Sequence, residues 1–175
     1  MFAGGVVRLL SQGTTINNFL KNTPVLRSQL AEIFRLSEDN LIDKLKLSHK
    51  ELTRLSYDIY VLKENKFIKN KFATILKAEV LHDLPSKRKN FYLICLNKNR
   101  IFKRNNPFLK ELLLYILTHE LVHLVRFIRY ESSFYFKNKW QEEKTVHKIT
   151  KELLKNLKFL PRMEEILNYF DKIYS

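Results

Sequence analysis

At 175 residues, with 45% hydrophobic and 29% charged side chains, the chain has the make-up of one ordinary globular domain; a disordered chain, a collagen-like repeat and a fibrous coil are excluded. Gly (3) and Pro (4) are scarce, which favours helices over a turn-rich sandwich or barrel. The single cysteine, Cys95, excludes an intramolecular disulfide and a cysteine zinc ribbon, and suits a reducing compartment, read as the cytoplasm.

The 32 Lys and Arg against 18 Asp and Glu leave a net charge of +14. A field of that sign attracts polyanions, so nucleic acid is a candidate partner through the basic surface. The basic residues are nevertheless spread along the chain, with short clusters at Lys87-Arg88-Lys89 and from Lys98 to Arg104, the pattern of a solvated surface. The opening MFAGGVVRLL lacks a basic n-region and is broken by Arg8, so no signal peptide is expected. The most apolar window, Phe108 to Ile128, holds Lys110, Glu111, His119, Glu120, His123 and Arg126; it reads as a buried helix, and no membrane partner is expected.

Residues 1–24 are weakly patterned and predict a short helix or a loose arm, stopped at Pro24. From Val25 to Leu62 apolar residues recur at helical spacing. Ser37-Glu38-Asp39-Asn40 reads as a break and a new helix start, and Ser48 with Glu51 as a capping box opening a helix that carries Leu52, Leu55, Ile59 and Leu62 on one face. Residues 1–70 are thus expected to be a helical N-terminal region, and 71–175 the functional core, together forming one compact unit. Phe72 to His82 and Phe91 to Asn97 (FYLICLN) predict two strands, joined by a charged turn around Pro85. Pro107 to about Tyr130 predicts a long helix that is apolar all round, hence central. Lys137 to Leu157 predicts a second long helix and Met163 to Tyr174 a final amphipathic one. The fold class expected is α+β, mainly helical, with a small β-sheet packed on the central helix.

That central helix contains His119-Glu120-Leu121-Val122-His123, an H-E-x-x-H pattern. Residues four apart share a helix face, so both imidazoles can reach one ion while Glu120 points to a neighbouring direction. Two His ligands, an open water position and a carboxylate base are what a hydrolytic zinc site requires. The plain alternative is a pair of core histidines, with Glu120 paired to an arginine such as Arg126. A third ligand is needed. Arg126 and Arg129 stand where the metzincin pattern needs Gly and His, so that subclass is excluded. Glu143, on the following helix, projects between Leu154 and Leu157 and invites a cationic partner. His147, one turn later, is either a ligand or a partner orienting one. Glu142 becomes the candidate if the helix shifts by one residue, and is otherwise a surface charge.

HELVH followed by Glu143-x-x-Val146-His147 resembles the gluzincin metallopeptidases, and Glu143-x-x-Val-His-x-Ile-Thr-x-x-Leu-Leu the compact minimal gluzincins of the ImmA/IrrE type. The resemblance covers roughly residues 72–157. The family often has a small residue where Val146 stands, and Asp or Asn where His147 stands. The resemblance implies a zincin-like fold, Zn2+ held by His119, His123 and Glu143, Glu120 as general base, and a peptide or protein substrate. It also implies a substrate-binding edge strand before the active-site helix, for which Phe91 to Asn97 is the candidate. Tyr130, Tyr135 and Arg126 are the nearby candidates for stabilising an oxyanion. Competing readings are a zincin-like protein that binds a partner without cleaving it, a nucleic-acid-associated SprT-like protease, and a helical nucleic-acid-binding module.

Overall fold

The centre of the molecule is the helix α5 (Leu109–Ile128), described here from a computed structural model that covers residues 13–21, 24–79, 90–135, 138–157 and 159–175. Every residue of α5 from Glu111 to Ile128 is buried except Glu120 and Arg126. Around it the chain runs through β1 (Gly13–Thr15), α1 (Ile16–Lys21), α2 (Pro24–Leu45), α3 (His49–Arg54), β2 (Tyr57–Leu62), β3 (Ala73–Glu79), β4 (Asn90–Asn97), α4 (Lys98–Ile101), then α6 (Lys139–Leu154) and α7 (Met163–Tyr174) after α5. The architecture is α+β and mainly helical, as expected, with α2, α6 and α7 packed on α5.

The sheet is four-stranded in the order β1-β2-β4-β3. β2 and β4 are parallel, and the two outer pairings are antiparallel. Tyr92, Ile94 and Leu96 face α5, whereas Leu93 and Cys95 join Leu62 and Ile68 in a smaller core on the far side. Burial on both faces explains why FYLICLN is apolar without alternation.

Three sequence expectations are corrected here. α2 runs unbroken through Ser37, whose buried hydroxyl donates to the Phe34 carbonyl at 2.8 Å instead of starting a new helix. The helix opened by Ser48 stops after Arg54, although its capping box forms as expected. Tyr57–Leu62 is the strand β2, so the N-terminal region is not all helical. Leu55, Ile59 and Leu62 match a helical spacing, but Ile59 and Val61 go to one sheet face and Tyr60 and Leu62 to the other. The aromatic and β-branched run pairs with β4, and that pairing overrides the local periodicity. The strand expected over Phe72–His82 is observed at Ala73–Glu79; Val80 to His82, Lys87-Arg88-Lys89 and the first twelve residues lie outside the described residues.

The ends of α5 are fixed by short-range bonds. Asn106 accepts from the Phe108 amide at 3.0 Å and donates to the Ile101 carbonyl at 3.2 Å. At the other end Tyr130 takes a left-handed conformation (φ 58°), the Glu131 amide returns to the Arg126 carbonyl at 2.9 Å, and the Tyr130 amide to Phe127 at 3.2 Å. This is the bond pattern of a Schellman stop built without glycine. Arg129 then ties the end of α5 to Glu51 at 2.5 Å and to the Leu45 carbonyl at 2.9 Å.

Candidate metal centre

The contacts between α5 and α6 pair Tyr115 with His147 and His119 with Glu143, so the helices run antiparallel. In this register His119, His123 and Glu143 converge. His119 Nε2 lies 3.1 Å from Glu143 Oε2, and His123 Nε2 lies 3.5 Å from the same oxygen. One ligand atom from each of the three falls within 4.8 Å of the others, a group that could hold a metal ion. Glu120 is on the same wall, and all four line a cleft of about 700 Å³.

The two carboxylates that sequence reasoning weighed against each other have different jobs. Glu142, expected at the surface, is buried, and its two oxygens accept from Arg126 Nε at 2.9 Å and Nη2 at 3.1 Å. That bidentate pair keeps Glu142 off the site proper, though one oxygen comes within 3.7 Å of His123 Nδ1. Glu143, placed by helical angles inside the apolar stripe, instead faces the two histidines at the cleft wall. Arg126 belongs to Glu142 and Glu131, not to Glu120.

His147 does not join the three converging side chains. It sits behind His119, with Nδ1 2.7 Å from the Tyr115 hydroxyl and Nε2 2.9 Å from Asp171 on α7. The same tyrosine hydroxyl lies 3.5 Å from His119 Nδ1, and Asp171 also pairs with Lys151 at 2.6 Å. The chain His119–Tyr115–His147–Asp171–Lys151 therefore backs one imidazole with three helices. Aromatic rings close the remaining sides: Tyr174 stacks on His119 (5.7 Å, 14°) and Phe127 on His123 (6.0 Å, 29°).

Electrostatics separate the four polar groups. Burial lowers the His119 pKa to about 4, so this ring is neutral and its lone pair is available. For His123 burial opposes the charge, but the Glu142 and Glu143 carboxylates outweigh it and raise the pKa to about 9. Burial would raise Glu143 too, yet the two imidazoles hold it well below the usual carboxylate range. Desolvation raises Glu120 to about 7, where a carboxylate can both take and return a proton.

The oxyanion candidates drawn from the sequence do not reach the cleft. Tyr130 is 81% exposed with Arg54 over its ring, Tyr135 is 64% exposed, and Arg126 is committed to its carboxylates. The substrate edge expected at Phe91 to Asn97 is also corrected. β4 lies inside the sheet between β2 and β3, so its backbone is already paired on both sides. The edge strand beside the site is β3, and Ala73, Thr74 and Ile75 line the cleft. Sequence reasoning missed Tyr115, Asp171 and Tyr174. Tyr115 was findable, being four residues before His119 on the same face; Asp171 and Tyr174 come from a helix that only tertiary packing brings near. Among the described residues no helix is long and apolar enough to cross a membrane. The chain matches no protein-family model, no curated protein and no solved structure.

Proposed function

We propose that the protein is a zinc-dependent metallopeptidase, with His119, His123 and Glu143 as metal ligands and Glu120 as general base. The observation that carries this reading is the convergence of those three side chains beside Glu120 on the wall of one cleft. Zinc ligands at about 2.0–2.1 Å in tetrahedral array are spaced about 3.3 Å apart. The 3.1 and 3.5 Å separations to Glu143 bracket that spacing, all three donor atoms lie within 4.8 Å of one another, and two imidazoles with a carboxylate suit the ion in chemistry. Zinc bound there would lower the pKa of a water toward 7 and polarise a substrate carbonyl.

Glu120 accepts the proton of the attacking water and hands it to the departing amine. Tyr115, held by His147 and Asp171, keeps the His119 ring in place. An extended peptide adds to the outer edge of β3, which is unpaired among the described residues, where backbone bonds supply affinity and the aromatic cleft supplies side-chain contacts. The reading in which the protein binds a partner or nucleic acid without cleaving it draws on the net charge of +14.

Glu120→Gln separates the two readings. In a peptidase it retains zinc, by elemental analysis, and loses hydrolysis by about 100-fold or more, the size of a general-base contribution. His119→Ala loses the metal itself. Full activity in Glu120→Gln rules the mechanism out, and absence of metal from both wild type and zinc-soaked protein rules out the site.

A further inference from the structure

Three cations line the cleft that holds the His119, His123 and Glu143 group. Lys71, just before β3, Lys139, the first residue of α6, and Arg100 on α4 all line it. None of the three forms an ion pair with a carboxylate among the described residues. Partial desolvation and the Lys139 ammonium beside it lower the Lys71 pKa, so two like charges from different elements are held together at the rim. Glu143 and Glu120 act on Lys71 through space, and Glu120 acts on Lys139 as well. A divalent ion held by His119, His123 and Glu143 would offset the charge of those two carboxylates and leave the rim lysines positive.

The rim is built, not a chance meeting of flexible side chains. Asn97, fully buried at the end of β4, donates its amide to the Lys71 carbonyl at 3.0 Å and accepts from the Arg100 amide at 3.3 Å. One buried side chain thus sets the backbone of two of the three cations. The Arg100 guanidinium lies 5.5 Å over the Phe72 ring, and both residues line the cleft.

We infer that this cleft selects peptide segments carrying an Asp or Glu side chain beside the bond presented to His119, His123 and Glu143, with Lys71 and Lys139 receiving the carboxylate and Arg100 completing the rim. The inference rests on the peptidase reading and adds its substrate class. Long-range attraction from the net charge brings such segments in, and the rim fixes their register.

The test is binding, so that it does not depend on turnover. Zinc-loaded, full-length Glu120→Gln protein is titrated with two fluorescein-labelled hexapeptides that differ only in a central Phe-Asp or Phe-Asn, at low and high salt. The Asp peptide is expected to bind at least about tenfold more tightly at low salt, as for a charge-assisted contact, with the preference shrinking as salt rises. Lys71→Met with Lys139→Met abolishes the preference, and the double Arg replacement keeps it. Equal affinity for the two peptides, no binding of either, or a preference untouched by the double Met change overturns the proposal. So does a single-stranded oligonucleotide that binds more tightly than the Asp peptide through the same lysines. The peptidase reading fails separately: selective binding with no hydrolysis of any peptide by the wild type sinks that reading alone, and equal kcat/KM on the two peptides sinks this one alone.

Discussion

Two polar clusters lie in succession along α5, and they are built on opposite principles. In the first, Arg126 meets Glu142 and Glu131, so a buried carboxylate has its cation and its hydrogen bonds from the protein. In the second, a turn earlier, Glu143 meets two imidazoles with Glu120 beside them, and no arginine hydrogen-bonds either carboxylate among the described residues. The first is complete and holds α6 against α5. The second brings three donor side chains to one spot, a group that could hold a metal ion. The difference teaches that adjacent Glu142 and Glu143 are told apart by their partners. The carboxylate with an arginine is structural, and the one without belongs to the group that could hold a metal ion.

Removing the arginine gives the largest change in stability. Arg126→Met strands Glu142 in a buried site and should cost about 3–5 kcal/mol by denaturant unfolding. The double change Arg126→Met with Glu142→Met should recover most of that loss. If Arg126→Met is neutral, the contrast between the clusters is wrong. Metal removal probes the other cluster. With free zinc at about 100 times Kd, binding to the folded state adds about 2.7 kcal/mol, so chelation should lower the Tm of wild type and leave His119→Ala unchanged. A Tm that ignores chelator in both would show that the His119, His123 and Glu143 group holds no metal.

The smallest effect is at Glu51, which anchors the end of α5 through Arg129. Hydrogen bonds from Arg129 and Ser48 hold its pKa at about 2, below the ordinary 4.5. A depressed carboxylate adds stability that is present above pH 4.5 and is lost as pH falls toward 2. Glu51→Gln should therefore lose part of the stability gap between pH 5 and pH 2 while leaving zinc content unchanged. A pH profile identical to wild type would show that this anchor contributes nothing.

Much of the site was legible because its two histidines obey a rule that needs only one helix. His119 and His123 are four apart, α5 is continuous, and no tertiary detail is needed to put them on one face. The all-round apolar character of α5 likewise announced its central position. The ranking of Glu143 over Glu142 and His147 had a weaker basis: it depended on the rotation of α6 against α5, which adjacent residues in one helix do not specify. Glu142 looked like a surface charge because its arginine is sixteen residues away, on another helix. Ile59 and Leu62 looked helical because a spacing of three or four fits both a helix and a strand covered on two faces.

Elements with local signals follow from the order of residues alone. These are the H-E-x-x-H helix, the capping box of Ser48 and Glu51, the final amphipathic helix and the basic charge balance. Tertiary structure decided everything that depends on which element lies beside which. It put β3 at the sheet edge in place of β4, divided Glu142 from Glu143, and set Tyr115 between His119 and His147. It also gathered Lys71, Arg100 and Lys139 from three elements around one cleft. The physical reason is that helical periodicity and capping act over a few residues, whereas strand order, helix rotation and charge compensation are settled by contacts across the whole chain.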